Sequence, residues 1–172
     1  MLNNCRNDFP TLQGENPPAY LDNACVTLKP QSVINSIHQY YTETPGCGGR
    51  SVHRYGTTVS KAVVDARNKL AAFLNAGTPN EIVFTRNATH SINQIAHGMK
   101  WNKGDVVLTS DREHNSNLVP WLQLEQEQGI DHRVVPSMED NTFDMEAFEA
   151  ACAEAGSALK MVAVSHVGNL DG

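Results

Sequence analysis

The chain has 172 residues, is 40% hydrophobic and 19% charged, and carries a formal net charge of −6. That length holds one ordinary domain with a buried core. The acidic balance argues against nucleic acid, whose binders carry a basic stripe. No apolar run reaches the length of a membrane span.

The polar opening from Met1 to Phe9 has no apolar signal core, so a cytoplasmic location is the default expectation. Residues 19–22 read as a short strand. Pro30 then opens a helix with Val33, Ile37 and Tyr40 or Tyr41 as its apolar positions. The run Pro45-Gly46-Cys47-Gly48-Gly49 is the densest punctuation in the chain and marks a loop after an N-terminal arm. A long amphipathic helix follows, with Val59, Val63, Ala66, Leu70 and Phe73 on one face.

From there short apolar runs alternate with helical patterns. The runs at 81–85, 105–109, 132–135 and 160–165 read as buried strands. The helices between them are marked by Ile92, Ile95, Ala96 and Met99, by Leu118, Trp121 and Leu122, and by Met145, Phe148, Cys152 and Ala155, with Gly156 as a stop. This spacing predicts βαβ units, an α/β fold with a mostly parallel sheet, and a ligand beyond the C-terminal strand ends.

The residues at those ends are therefore the candidates. Asn87, Thr89 and Ser91 open a helix, where exposed N–H groups and the dipole suit an anion, although simple capping by Asn87 explains the same residues. His114 precedes the next helix, capped by Asn115 or Ser116 so that Pro120 is tolerated. Its imidazole suits stacking on a flat ligand or is a solvated loop histidine. Asp111, Glu113 and His114 form a weak metal set with no matching ligands elsewhere. Asn169 offers donors and an acceptor at the last strand end, or is an ordinary turn residue beside Gly168. No nucleophile elbow, Walker loop or dinucleotide fingerprint is present. The four cysteines have no C-x-x-C spacing and are expected to be reduced, Cys25 and Cys152 as packing residues.

Several segments, in order, resemble one family: residues 20–24, Val52-His53-Arg54, residues 81–86, the stretch from Glu113 to Trp121, and His166-Val167-Gly168-Asn169. Together they resemble the class V aminotransferases, and within them the cysteine desulfurases and selenocysteine lyases. The resemblance implies a three-layer αβα domain of the pyridoxal-phosphate (PLP) fold type I, in a homodimer. It implies residues 1–50 as an arm with a helix and 51–172 as the first part of the cofactor domain. The implied activity removes sulfur from L-cysteine as an enzyme persulfide, leaving alanine, for transfer to an acceptor protein in iron–sulfur cluster assembly. Selenocysteine lyase, another class V reaction, and a non-catalytic partner subunit are the alternatives.

By the same resemblance Ala88 and Thr89 hold the cofactor phosphate, His114 stacks on its ring, and Asn169 faces the ring oxygen and substrate. Asn23, Ala24, His53 and Arg54 lie toward the substrate. Five positions in three segments depart from the family pattern. Asn87-Ala88-Thr89-His90 replaces Gly-Thr-Thr-Glu, Asn115 stands where a second histidine is common, and Gly168 replaces a serine. Members run to more than twice this length. The Schiff-base lysine, the aspartate facing the pyridine nitrogen, the persulfide cysteine and the small domain have no match here. The expectation is a chain inactive alone, with strand 81–85 lacking its usual neighbour and the sheet edges open to abnormal pairing.

Overall fold

The computed structural model describes residues 5–169. The chain divides between Val83 and Phe84 into two compact units.

The first unit begins with two 3₁₀ turns, Cys5–Asp8 and Pro10–Leu12. Its helices are α1 (Gln31–Thr42), which starts directly after Pro30, and α2 (Arg54–Phe73). The glycine-rich loop lies flush against the first turn of α2. A Cβ on Gly46 would fall 2.8 Å from the Tyr55 carbonyl carbon, and one on Gly56 2.5 Å from the Ser51 Cβ. Only glycine permits that approach. Gly56 and Ala71 are the buried residues of α2, and α1 has none. The apolar stripe that predicts α2 is real, yet Val63, Leu70 and Phe73 stay exposed.

Residues 19–22 form no strand. They lead into a turn in which Val26 N–H donates to the Asp22 carbonyl at 3.0 Å, and the Tyr20 hydroxyl bonds the Val26 carbonyl. The expected strand at 81–85 is also absent. A 3₁₀ turn, Pro79–Glu81, is capped by Thr78, and Ile82 beyond it is extended but joins no ladder among the described residues. A strand exists only through its partner's hydrogen bonds, and β-propensity alone cannot supply one.

The second unit is a three-layer αβα arrangement. In chain order it contains α3 (Ala88–Gly98), β1 (Val106–Ser110), α4 (Asn115–Gln128), β2 (Asp131–Val135), α5 (Met145–Ala155) and β3 (Leu159–Ala163). The sheet is parallel with order β2-β1-β3. Every residue of β1 is buried, as a central strand covered on both faces requires. Side chains alternate across the pleat. Val107 packs with Ala96 of α3 and Trp121 and Leu124 of α4. Val106 and Leu108 point the other way, onto Phe148, Ala151, Cys152 and Ala155 of α5.

Local chemistry sets the helix ends. Asp144 caps α5, its Oδ1 accepting from Ala147 N–H at 2.8 Å, and Gly156 ends it at positive φ, as the sequence predicts. Gly129 closes α4 at φ +72°, a left-handed conformation natural to glycine. Pro120 sits inside α4, one to two positions deeper than expected, because the cap is His114 and not Asn115 or Ser116. It forgoes one helical bond, and the residue is buried.

The edge where the strands start is held by charge. Lys160 Nζ meets Asp105 Oδ2 at 2.6 Å, lies 5.3 Å from the centre of the Trp101 ring, and donates to the Lys100 carbonyl. Cys152 is half-buried against the α5 face, whereas Cys25 is exposed rather than packed. No described helix is long and apolar enough to cross a membrane.

Candidate functional site

The parallel topology turns two helix starts toward one edge. α4 leaves the C-terminal end of β1 and returns to the start of β2, while α3 finishes shortly before β1 begins. The two helices pack together and run back along the sheet, so their N-termini lie at the end where β1 and β3 finish. Ala88, Thr89 and His114 open these helices, and Asn169 follows Gly168, which lines a cleft with Ser110 at the end of β1.

At the start of α3, Asn87 Oδ1 accepts from His90 N–H at 2.9 Å. Capping by Asn87 is thus real, and it leaves the Ala88 and Thr89 N–H groups at a helix end where no internal carbonyl reaches them. Both residues are exposed. The Ser91 hydroxyl lies 2.7 Å from the Thr85 hydroxyl and donates to the Asn87 carbonyl at 3.3 Å, so it is held by the cap and is not offered to a ligand. Two outward amides, the exposed Thr89 side chain and the positive end of a helix dipole make a donor set suited to a phosphate.

At the start of α4, His114 Nδ1 accepts from Ser116 N–H at 3.1 Å and lies 2.9 Å from the Ser116 hydroxyl. Both contacts lie at the ring nitrogen, so they fix the plane of the imidazole without covering its faces. In the neutral ring the proton then belongs to Nε2. The flat, exposed face suits stacking on an aromatic ring.

The carboxylates beside His114 face protein donors. Glu113 Oε1 accepts from the Ser110 hydroxyl at 2.6 Å and from Ser165 N–H at 2.8 Å. Glu113 Oε2 accepts from Asn117 Nδ2 and from the Ser165 hydroxyl, both at 2.7 Å. Asn117 Nδ2 also donates to the Ala163 carbonyl at 2.9 Å, and its Oδ1 accepts from the core indole of Trp121 at 3.4 Å. Burial pushes the Glu113 carboxyl up, but the donors on Ser110, Asn117 and Ser165 outweigh it and hold the group below the usual glutamate value. Asp111 is instead bound to Ser137, whose hydroxyl and N–H hold its carboxyl low. The weak metal set of Asp111, Glu113 and His114 does not converge, and no other cluster of three potential ligands occurs among the described residues.

Sequence reasoning missed Glu113, Asn117 and Ser165 as one group. The only local signal was the four-residue step from Glu113 to Asn117, one helical turn. A separate cleft of about 280 Å³ opens at this edge among Ser110, Arg112, Ser137, Asn141, Ser165 and His166, and none of the four candidates lines it.

The remaining candidates belong to the first unit. Asn23 and Ala24 sit on the exposed Asp22–Val26 turn, and Asn23 lines a small cleft of about 190 Å³ with Arg6, Phe9 and Tyr20. His53 caps α2, its Nδ1 accepting from Gly56 N–H at 3.4 Å, and Arg54 is the first residue of that helix.

A sequence model of the Aminotransferase class-V family matches residues 19–172. A probable cysteine desulfurase of Synechocystis sp. is 38% identical over 170 residues, which are 95% of this chain and 40% of that protein. Among solved structures, the apo cysteine desulfurase of Thermococcus onnurineus NA1 superposes with a TM-score of 0.82 at 30% identity, over 95% of this chain and 40% of its own. A cysteine desulfurase from Escherichia coli gives 0.78 at 30% identity, over 95% and 41%. The chain spans about two-fifths of the length of the relatives it matches.

Proposed function

Because this chain belongs to the class V aminotransferases, a PLP-dependent family, we propose that it is the cofactor-binding portion of a cysteine desulfurase-like enzyme. The observation that carries this reading is the pairing of two helix starts at one sheet edge, one offering amides and Thr89, the other a ring-locked His114. Ala88 and Thr89 hold the phosphate, His114 stacks on the pyridine ring, and Asn169 meets the ring oxygen and the substrate. Asn23, Ala24, His53 and Arg54 serve the substrate side, and residues 51–172 count as the first part of the cofactor domain. When bound, PLP supplies the electron sink that lets the sulfur of a cysteine substrate leave. The chain's own residues bind and orient that group.

Among the described residues of the second unit, the lysines lie away from this edge. Lys160 lies near the start of β3 on Asp105, and Lys100 and Lys103 lie in the connection that leads into β1. Cys152 is half-buried against the α5 face of the sheet. The 172 residues alone are expected to bind without turnover. The whole enzyme is read as a cytoplasmic homodimer that passes sulfur to an acceptor protein for iron–sulfur clusters.

Titration of the chain with PLP, followed by tryptophan fluorescence, tests the site. Saturable binding is expected, weakened about tenfold or more in Thr89→Ala, since a bond to a charged group contributes about 1.5–3 kcal/mol. A comparable loss is expected in His114→Ala. Absence of saturable binding, or indifference to both substitutions, would refute the site. The activity is tested by exchanging this chain for the matching portion of the Escherichia coli desulfurase. The chimera should release sulfide from cysteine, and a folded chimera that retains no PLP overturns the proposal.

A further inference from the structure

Glu113 touches none of the groups that would meet the cofactor, yet it is bonded to every segment that carries one of the edge candidates except α3. Its four accepted bonds come from Ser110 at the end of β1, from Asn117 in the first turn of α4, and from both the amide and the hydroxyl of Ser165 beyond β3. Asn117 adds the Ala163 carbonyl, the last of β3, and is itself bonded to Trp121, which is 1% exposed. The path from the rigid core to the edge thus runs through Trp121, Asn117 and Glu113 to Ser165, four residues before Asn169. On the other side Glu113 is the chain neighbour of His114.

We propose, on the basis of the PLP reading above, that Glu113 is the positioning residue that sets the spacing between the stacking face of His114 and the amide of Asn169. It does this by clamping the chain leaving β3 to the start of α4. Four donors converge on the carboxylate, and two of them, Ser165 N–H and Asn117 Nδ2, cannot reverse their role without breaking another bond. A glutamine at this position has one amide nitrogen that must face one of those two. Either orientation sets donor against donor, so the clamp opens on the Ser165 side or the Asn117 side. The phosphate end of the site, on α3, has no bond to Glu113 and is untouched.

That separation supplies the test. In Glu113→Gln, PLP affinity should fall about tenfold, while inorganic phosphate, used as a separate probe of the α3 start, should bind within about twofold of the parent. Hydrogen exchange of the amides in residues 164–169 should quicken about tenfold. Ser165→Ala removes only the hydroxyl bond and should give the same pattern at about a threefold level. It decides the matter if Glu113→Gln does not fold. A general loosening of the domain would instead weaken both ligands in parallel, and that result overturns the positioning role. So does unchanged PLP affinity in both variants, with the cofactor reading left standing. A parent chain that binds neither PLP nor phosphate removes the cofactor reading, and this inference with it.

Discussion

The two units spend similar hydrophobicity in opposite ways. In the second, one five-residue strand is buried throughout and each of its faces has a helix layer. In the first, the 20-residue α2 is longer than any helix of the second, yet Gly56 and Ala71 are its buried residues and Phe73 is 84% exposed. Periodicity states which face of a helix is apolar. It does not state what covers that face, and burial, not pattern, contributes the free energy.

The sharpest way to break this contrast is to truncate one aromatic residue in each unit. Trp121→Ala should cost about 3–5 kcal/mol in denaturant unfolding, because the indole fills the α3–α4–β1 face. If it costs under 1 kcal/mol, the second unit is not the organised one. A smaller effect is expected at the α5 cap, where Asp144→Ala should lower stability by about 1 kcal/mol in the same assay.

Acid titration sharpens the contrast further, since the shifted carboxylates and the shifted histidine belong to the second unit. Glu113, Asp105 and Asp111 all titrate low when folded, so their contribution is complete above the ordinary carboxylate range, near pH 4, and fades as pH falls through the folded values. Burial pushes His132 down, only partly opposed by Glu125 and Asp131, and its Nε2 lies 2.9 Å from the Thr109 hydroxyl. Below about pH 6.5 the unfolded chain takes up a proton that folded His132 resists, so stability declines as pH drops from there. His132→Asn should move the onset of acid loss down to the carboxylate range. An unmoved onset would show that His132 is not the group responsible. The smallest effect belongs to the first unit, where Phe73→Ala should change unfolding by no more than about 0.5 kcal/mol. A loss as large as that of Trp121→Ala would erase the distinction between the units.

These cases also separate what the sequence discloses from what it withholds. Helices α2 to α5 and strands β1 to β3 were legible because their periodicities are local and their flanking residues, such as Asp144 and Gly156, are local too. Residues 81–85 are as rich in strand formers as β1, and residues 19–22 offer Tyr20, but neither segment has a ladder partner among the described residues, and pairing is not written in a single segment. Of the candidate site, Thr89 and His114 were legible as residues at helix starts. The clamp on Glu113 was not, because Ser165 comes 52 residues later. The cap of α4 was misread for a related reason: an imidazole nitrogen can accept from a helix amide, although histidine is not among the preferred capping residues.

The strand order β2-β1-β3 has a consequence for the chain as it is made. The central strand emerges from the ribosome before either neighbour, and Ala163, which closes its second side, is added 53 residues after Ser110. At roughly 5–20 residues per second, Val106, Val107 and Leu108 wait about 3–10 s for full cover. The most protected segment of the finished unit is thus the one longest exposed at birth, and it is there that a nascent-chain holdase would find its grip.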